Sequence, residues 1–146
     1  MNAFLAIVVL ALMSVATADM SSCGTPNMTS TFNTTGVAVS PTVPARNINW
    51  TFTLTGYVST PISNVMVTVT TSLCIPVVGC VAVDSRMIPC SNAAGCAFPV
   101  GTVNILTQQL IPSFTPAGTY SVEMDYVGTT AAGSVGFGCA VDKFNL

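Results

Sequence analysis

The chain contains no histidine, and only 5 % of its 146 residues are charged. Without histidine it lacks the commonest general base, the serine–histidine and cysteine–histidine nucleophile systems, and the commonest transition-metal ligand. Ordinary soluble domains carry roughly 25 % charged residues. The three basic residues, Arg46, Arg86 and Lys143, cannot assemble the positive patch that phosphate backbones require, so no nucleic-acid partner is expected. The same scarcity argues against docking to acidic membranes by charge. No glycine-rich phosphate loop is present. The one close carboxylate pair, Glu123 and Asp125, alternates with Val122 and Met124. That pattern reads as a solvated outer face, since catalytic carboxylates need burial or a partner to shift their pKa. An enzyme is not expected, nor a cofactor or a metal.

What the chain has is apolar surface, 51 % of its residues, diluted by uncharged Thr, Ser, Asn and Gln. Phe4 to Met13 is an unbroken apolar run, followed by Ala16-Thr17-Ala18, the small-x-small pattern of a signal-peptidase site. The run is shorter than the about 20 residues a membrane helix needs. Residues 1–18 are therefore expected to be a signal peptide, and residues 19–146 a single exported domain. All six cysteines (Cys23, Cys74, Cys80, Cys90, Cys96 and Cys139) follow that site. An even number in a small exported chain reads as a disulfide framework rather than a zinc site. Sequons at Asn27, Asn33 and Asn49 add glycosylation potential.

Alternation with a period of two dominates the rest. Trp50, Phe52 and Leu54 alternate with Thr51, Thr53 and Thr55; Val65, Val67 and Val69 alternate with Met66, Thr68 and Thr70. Tyr120, Val122, Met124 and Tyr126 alternate with Ser121, Glu123 and Asp125. Val135, Phe137, Cys139 and Val141 alternate with small residues and Asp142. Shorter candidates are Phe32 to Val39 and Val103 to Leu110. This is the pattern of strands buried on one face. Such faces must find partners, so the expected fold is all-β: an immunoglobulin-like β-sandwich of about seven antiparallel strands in two sheets. Cys74 to Thr102, rich in cysteine, proline and glycine, reads as a long stapled loop with at most a short strand.

Cys74/Cys80 and Cys90/Cys96 each enclose five residues and suit local closures, which leaves Cys23 and Cys139. That last closure would stabilise most, about 4–5 kcal/mol in the chain-entropy model. Six cysteines still permit 15 connectivities, so spacing alone leaves the pairing open. Two segments also carry apolar residues where loops are expected, Ile75-Pro76-Val77-Val78 and Leu110-Ile111-Pro112-Ser113-Phe114. Apolar loops mark a binding surface or the rim of a cavity, or fold back over an ordinary core.

An ordered set of elements then resembles a known family. These are Cys23-Gly24; Gly36-Val37-Ala38-Val39-Ser40-Pro41; the Cys90-x5-Cys96 loop; Ile111-Pro112; Pro116-Ala117-Gly118-Thr119-Tyr120-Ser121-Val122; and Cys139. Together they resemble the ML lipid-recognition family, which includes Niemann–Pick type C sterol carriers, group 2 mite allergens and phosphatidylglycerol/phosphatidylinositol transfer proteins. The resemblance implies Cys23–Cys139 and Cys90–Cys96 bridges, with Cys74–Cys80 a departure in position. It implies a lipid held between the sheets, a sterol or a phospholipid, transferred between membranes by a monomer in transient membrane contact. The implied setting is secreted or the endosomal/lysosomal lumen. Alternation assigns Trp50, Phe52, Leu54, Val67, Val69, Tyr120, Met124 and Phe137 to such a cavity. The apolar loops assign Val77, Val78, Ile111 and Phe114 to its rim. The alternatives are a lipid-recognition or adhesion module acting through a receptor or other protein partner, and a structural domain without ligand.

Overall fold

The computed structural model describes residues 31–146. The expected signal peptide, Cys23 and the Asn27 sequon lie outside the described residues.

Seven strands follow one another with no helix among the described residues: β1 (Phe32–Ser40), β2 (Asn49–Val58), β3 (Asn64–Ile75), β4 (Gly79–Pro89), β5 (Gly101–Leu110), β6 (Thr119–Thr130) and β7 (Gly133–Asn145). They form two antiparallel sheets, ordered β1-β2-β5 and β4-β3-β6-β7. The period-two apolar residues explain the layering. Trp50, Phe52 and Leu54 of β2, Val65, Val67 and Val69 of β3, and Tyr120, Val122, Met124 and Tyr126 of β6 are all buried between the sheets. Each such burial contributes about 1.5–3 kcal/mol. The intervening threonines face out, where Thr55 Oγ1 donates to Asn104 Oδ1 at 2.8 Å.

At one end the sandwich is sealed. Phe32, Val58, Ile62, Phe98 and Phe137 are buried there, with an Ile62–Phe98 bridge closing the gap between strands. The rings of Phe32 and Phe137 meet at 4.8 Å. Two glycines make this packing possible. A Cβ on Gly56 would lie 2.3 Å from the Phe32 ring and 2.6 Å from the Asn33 carbonyl oxygen; on Gly128 it would lie 2.9 Å from the Phe137 ring and 3.0 Å from Ile62.

Two expectations need correction. The alternation of Val135, Phe137, Cys139 and Val141 fails halfway along β7. Phe137 sits in a bulge, because Val127 pairs with Gly136 whereas Tyr126 pairs with Gly138. The extra residue changes the phase. Ala140, Asp142 and Phe144 pair with Met124, Val122 and Tyr120 and share their inner face, whereas Cys139 and Val141 pair with Asp125 and Glu123 on the outer one. The Cys74–Thr102 segment is also not mainly loop. β4 is an eleven-residue strand paired along β3. It hides from periodicity because it is an edge strand exposed almost throughout, so neither face of it carries a burial pattern.

Cys74 and Cys80 are bonded across that hairpin, and Cys90 is bonded to Cys96. Cys139 is disulfide-bonded as well; its expected partner Cys23 lies outside the described residues. The Cys90–Cys96 loop covers the free edge of β5. Ser91 N donates to Leu106 O at 2.7 Å, Asn92 Nδ2 to Asn104 O at 2.7 Å, and Leu106 N to Asn92 Oδ1 at 2.8 Å. A covered edge cannot recruit another strand. The other sheet leaves its β4 edge open but marks it with Asp84, Arg86 and Pro89, which discourage pairing in the same way.

Candidate functional site

The end opposite Phe32 and Phe137 is not sealed. A cavity of about 500 Å³ lies there, within the range of small-molecule sites, roughly 300–1,000 Å³. Trp50 of β2 and Gln109 of β5 form one wall; Thr71 and Leu73 of β3, Tyr120 and Val122 of β6, and Phe144 of β7 form the other. The aromatic residues brace one another, Trp50 edge-on to Phe144 at 4.6 Å and Phe144 stacked on Tyr120 at 5.9 Å.

The segment between β5 and β6, residues 111–116, borders the mouth and is held on several sides. Tyr120 Oη donates to Pro116 O at 3.0 Å, Arg46 Nε to Thr115 O at 2.7 Å, and Asn47 N to Ile111 O at 2.8 Å. Asn47 has φ 62°, a left-handed conformation that asparagine tolerates better than most residues. The C-terminus is tied in too, with Leu146 and Gly118 exchanging backbone hydrogen bonds of 2.9 and 3.1 Å. Phe114 stands out of this segment at 85 % exposure.

The residues expected for a cavity are all buried between the sheets. Trp50 and Tyr120 line it, whereas Phe52, Leu54, Val67, Val69, Met124 and Phe137 pack the core away from its walls. Of the four rim residues, Phe114 lies at the mouth and Ile111, only 6 % exposed, faces inward. Val77 and Val78 occupy the tip of the β3–β4 hairpin and are not among the lining residues. Val77 is fully exposed with φ 72°, an outlier conformation for a β-branched side chain. On that side the mouth is bordered instead by Val83, Asp84 and Arg86 of β4, residues that the loop-like composition of Cys74 to Thr102 conceals in the sequence. Phe144 was hidden by the bulge. Gln109 had a signal, since it shares the parity of Ile105 and Thr107 in β5.

The polar groups at this end are few. Asp84 and Arg86 pair with each other at 3.6 Å, both half-exposed. Trp50 Nε1 and Gln109 Oε1 are buried without a hydrogen-bond partner, and each such atom costs about 1–3 kcal/mol. Gln109 Nε2 reaches Thr71 Oγ1 at 3.5 Å across the gap between the sheets. Deeper in the core, burial pushes the Tyr126 phenol up to about 12, and its hydroxyl donates to Met124 Sδ at 3.8 Å.

Several ionisable groups gather on and beside β6. Glu123, Asp125 and Cys139 bring possible ligand atoms within 4.8 Å of one another, but the Cys139 sulfur is committed to a disulfide. The two carboxylates are less solvated than alternation suggests. Burial raises both above the usual range, and the neighbouring Asp125 charge raises Glu123 further. Asp142, on the inner face of β7 and 5 % exposed, is also raised by burial, opposed by the Lys143 N–H that donates to it at 2.8 Å.

The fold is similar to that of a Niemann–Pick type C2 protein from the Japanese carpenter ant, with TM-score 0.56, 14 % identity, and coverage of 87 % of this chain and 98 % of that one. A weaker likeness, TM-score 0.47 at 17 % identity, is to the Pseudomonas fluorescens alkylpurine DNA glycosylase AlkC bound to DNA, covering 82 % of this chain and 31 % of that one; it supports no inference. No curated protein matches. The family model of the ML domain matches residues 17–140, nearly all of the sandwich just described. The chain therefore belongs to the ML domain family and is a lipid-recognition sandwich by fold.

Proposed function

We propose that this protein binds a lipid, a sterol or a phospholipid, in the cavity at the open end of the sandwich and transfers it between membranes. The carrying observation is the cavity of about 500 Å³ between two sheets whose opposite end is sealed. Its walls are mainly apolar, and burying hydrocarbon there contributes about 0.8 kcal/mol per CH₂. A few methylenes outweigh any polar contact the site offers.

With so little positive charge, membrane exchange rests on apolar contact. Phe114 and Leu110 at the mouth, with Ile75, Val77 and Val78 at the hairpin tip, are exposed and suited to transient insertion. The exported setting, secreted or the endosomal/lysosomal lumen, is supported by disulfides that persist in oxidising compartments. The hairpin tip also favours a second reading, a recognition module that holds lipid while the tip contacts a protein partner.

Organic extraction and mass spectrometry of the natively secreted protein test the first claim; repeated absence of lipid, with no binding of fluorescent sterol or phospholipid, overturns both readings. Transfer between vesicles separates them. Phe114→Asp is expected to slow transfer several-fold at unchanged stability, and unchanged transfer counts against this mouth.

A further inference from the structure

The charged side chains are divided unevenly between the two sheets. β1, β2 and β5 contain none, whereas Asp84, Arg86, Glu123, Asp125, Asp142 and Lys143 all lie on strands of the other sheet. The outer face of β1-β2-β5 meets water mainly with hydroxyls and amides, yet it exposes two large apolar side chains, Tyr57 at 46 % and Leu110 at 50 %. Protein surfaces are ordinarily kept soluble by interspersed charge, and this face has no such protection.

Both apolar residues have the same kind of neighbour. Asn33 is the direct cross-strand partner of Tyr57, and Asn49 is that of Leu110, so each pair stands side by side on the outer face. Asn33 and Asn49 are the acceptor positions of the sequons Asn33-Thr34-Thr35 and Asn49-Trp50-Thr51. Both are exposed. Neither side-chain amide hydrogen-bonds within the described residues, whereas those of Asn92, Asn104 and Asn145 do. Each position also has room for a bulky substituent. Thr35 is the unpaired residue of a bulge in the edge strand β1, between the Thr34–Gly56 and Gly36–Thr55 pairs. Asn49 lies beyond Ser40, where β1 ends opposite Thr51.

We propose that Asn33 and Asn49 carry N-linked glycans, which cover Tyr57 and Leu110 and solvate the uncharged sheet. A glycan is bulky, hydrophilic and confined to the surface, so it supplies the solvation that charge does not supply here. This rests on the exported reading above, because N-linked glycans are added in the secretory pathway. It also narrows the membrane contact: with a glycan beside Leu110, insertion is left to Phe114 and the β3–β4 hairpin tip.

The full chain is expressed in cultured mammalian cells, and both cells and medium are collected. The protein is treated with peptide N-glycosidase in heavy-oxygen water, which converts each glycan-bearing asparagine into a labelled aspartate that peptide mass spectrometry locates. Label at both Asn33 and Asn49 on most molecules is the expected result. Thr35→Ala and Thr51→Ala should each lose the mass of one glycan, while Thr35→Ser and Thr51→Ser, which keep the sequons, should not. The double alanine variant should self-associate several-fold more than the double serine variant in light scattering, and adding Tyr57→Ser and Leu110→Ser should remove that difference. Secreted protein lacking label at Asn33 or Asn49 overturns the glycans while export stands; protein retained in the cells with no label at any site overturns both. Occupied sites with equal self-association of the alanine and serine variants overturn the covering of Tyr57 and Leu110. The wild-type labelling needs no substitution and decides even where a variant does not fold.

Discussion

At the sealed end, the rings of Phe32 and Phe137 lie on bare backbone at Gly56 and Gly128. At the open end, Trp50, Tyr120 and Phe144 lie against one another around a cavity. The same residue type serves opposite purposes. At the sealed end the rings descend onto glycine backbone too closely for any Cβ and the layers close; at the open end the rings brace one another around the cavity. A binding end and a stable end are thus built from one alternating pattern.

Four substitutions and one titration can break or sharpen that contrast. The largest effect is expected from Gly56→Val, because the new side chain would collide with both the Phe32 ring and the Asn33 backbone. Chemical denaturation should show a loss of more than about 3 kcal/mol, above the usual range for overpacking. A variant of near wild-type stability would refute the glycine account of the sealed end. Next, the same enlargement is compared at two buried valines. Val67→Phe, in packed core, should cost about 1–3 kcal/mol, whereas Val122→Phe, on the cavity wall, should cost less than about 1 kcal/mol. Val122→Phe should also weaken lipid binding by filling the space; equal costs would mean that the cavity is no softer than the core. Phe114→Asp, at an exposed position, should change stability by no more than about 0.5 kcal/mol, and its effect should appear in transfer alone.

The smallest effect concerns pH. Glu123, Asp125 and Asp142 all have carboxyls raised by burial. A raised folded-state pKa means that the native state holds more protons than the unfolded chain between the ordinary value and the raised one, so stability increases as pH falls through that window. The gain begins at the raised values and is complete below the ordinary ones, 3.8 for aspartate and 4.5 for glutamate. Thermal unfolding should therefore occur at slightly higher temperature near pH 4 than near pH 7, with a smaller gain in Asp142→Asn. A midpoint that falls on acidification over this range would contradict the assignment.

Much of the fold was legible because β2, β3 and β6 alternate without interruption, and alternation encodes which face is buried. β7 was misread beyond its middle, since one bulged residue at Phe137 exchanges inner and outer faces and leaves no trace in the residue pattern. β4 was missed because edge position, not composition, makes it a strand. The site was legible only in part. Trp50 and Tyr120 followed from alternation, but Phe144 lay behind the bulge and Val83 behind the missed strand. Val77 and Val78, grouped with the mouth for being apolar, sit at a hairpin tip outside the cavity walls.

By itself the sequence determined that this chain forms alternating strands, that they bury one face each, and that no histidine or basic patch is available for chemistry or phosphate. Those are local properties, written in the order and kind of the side chains. Only the tertiary structure decided which end of the sandwich closes and which stays open. That choice depends on which rings meet glycine backbone across strands and on one bulge in β7. Each is a relation between residues far apart in the chain, and register, not composition, brings them together.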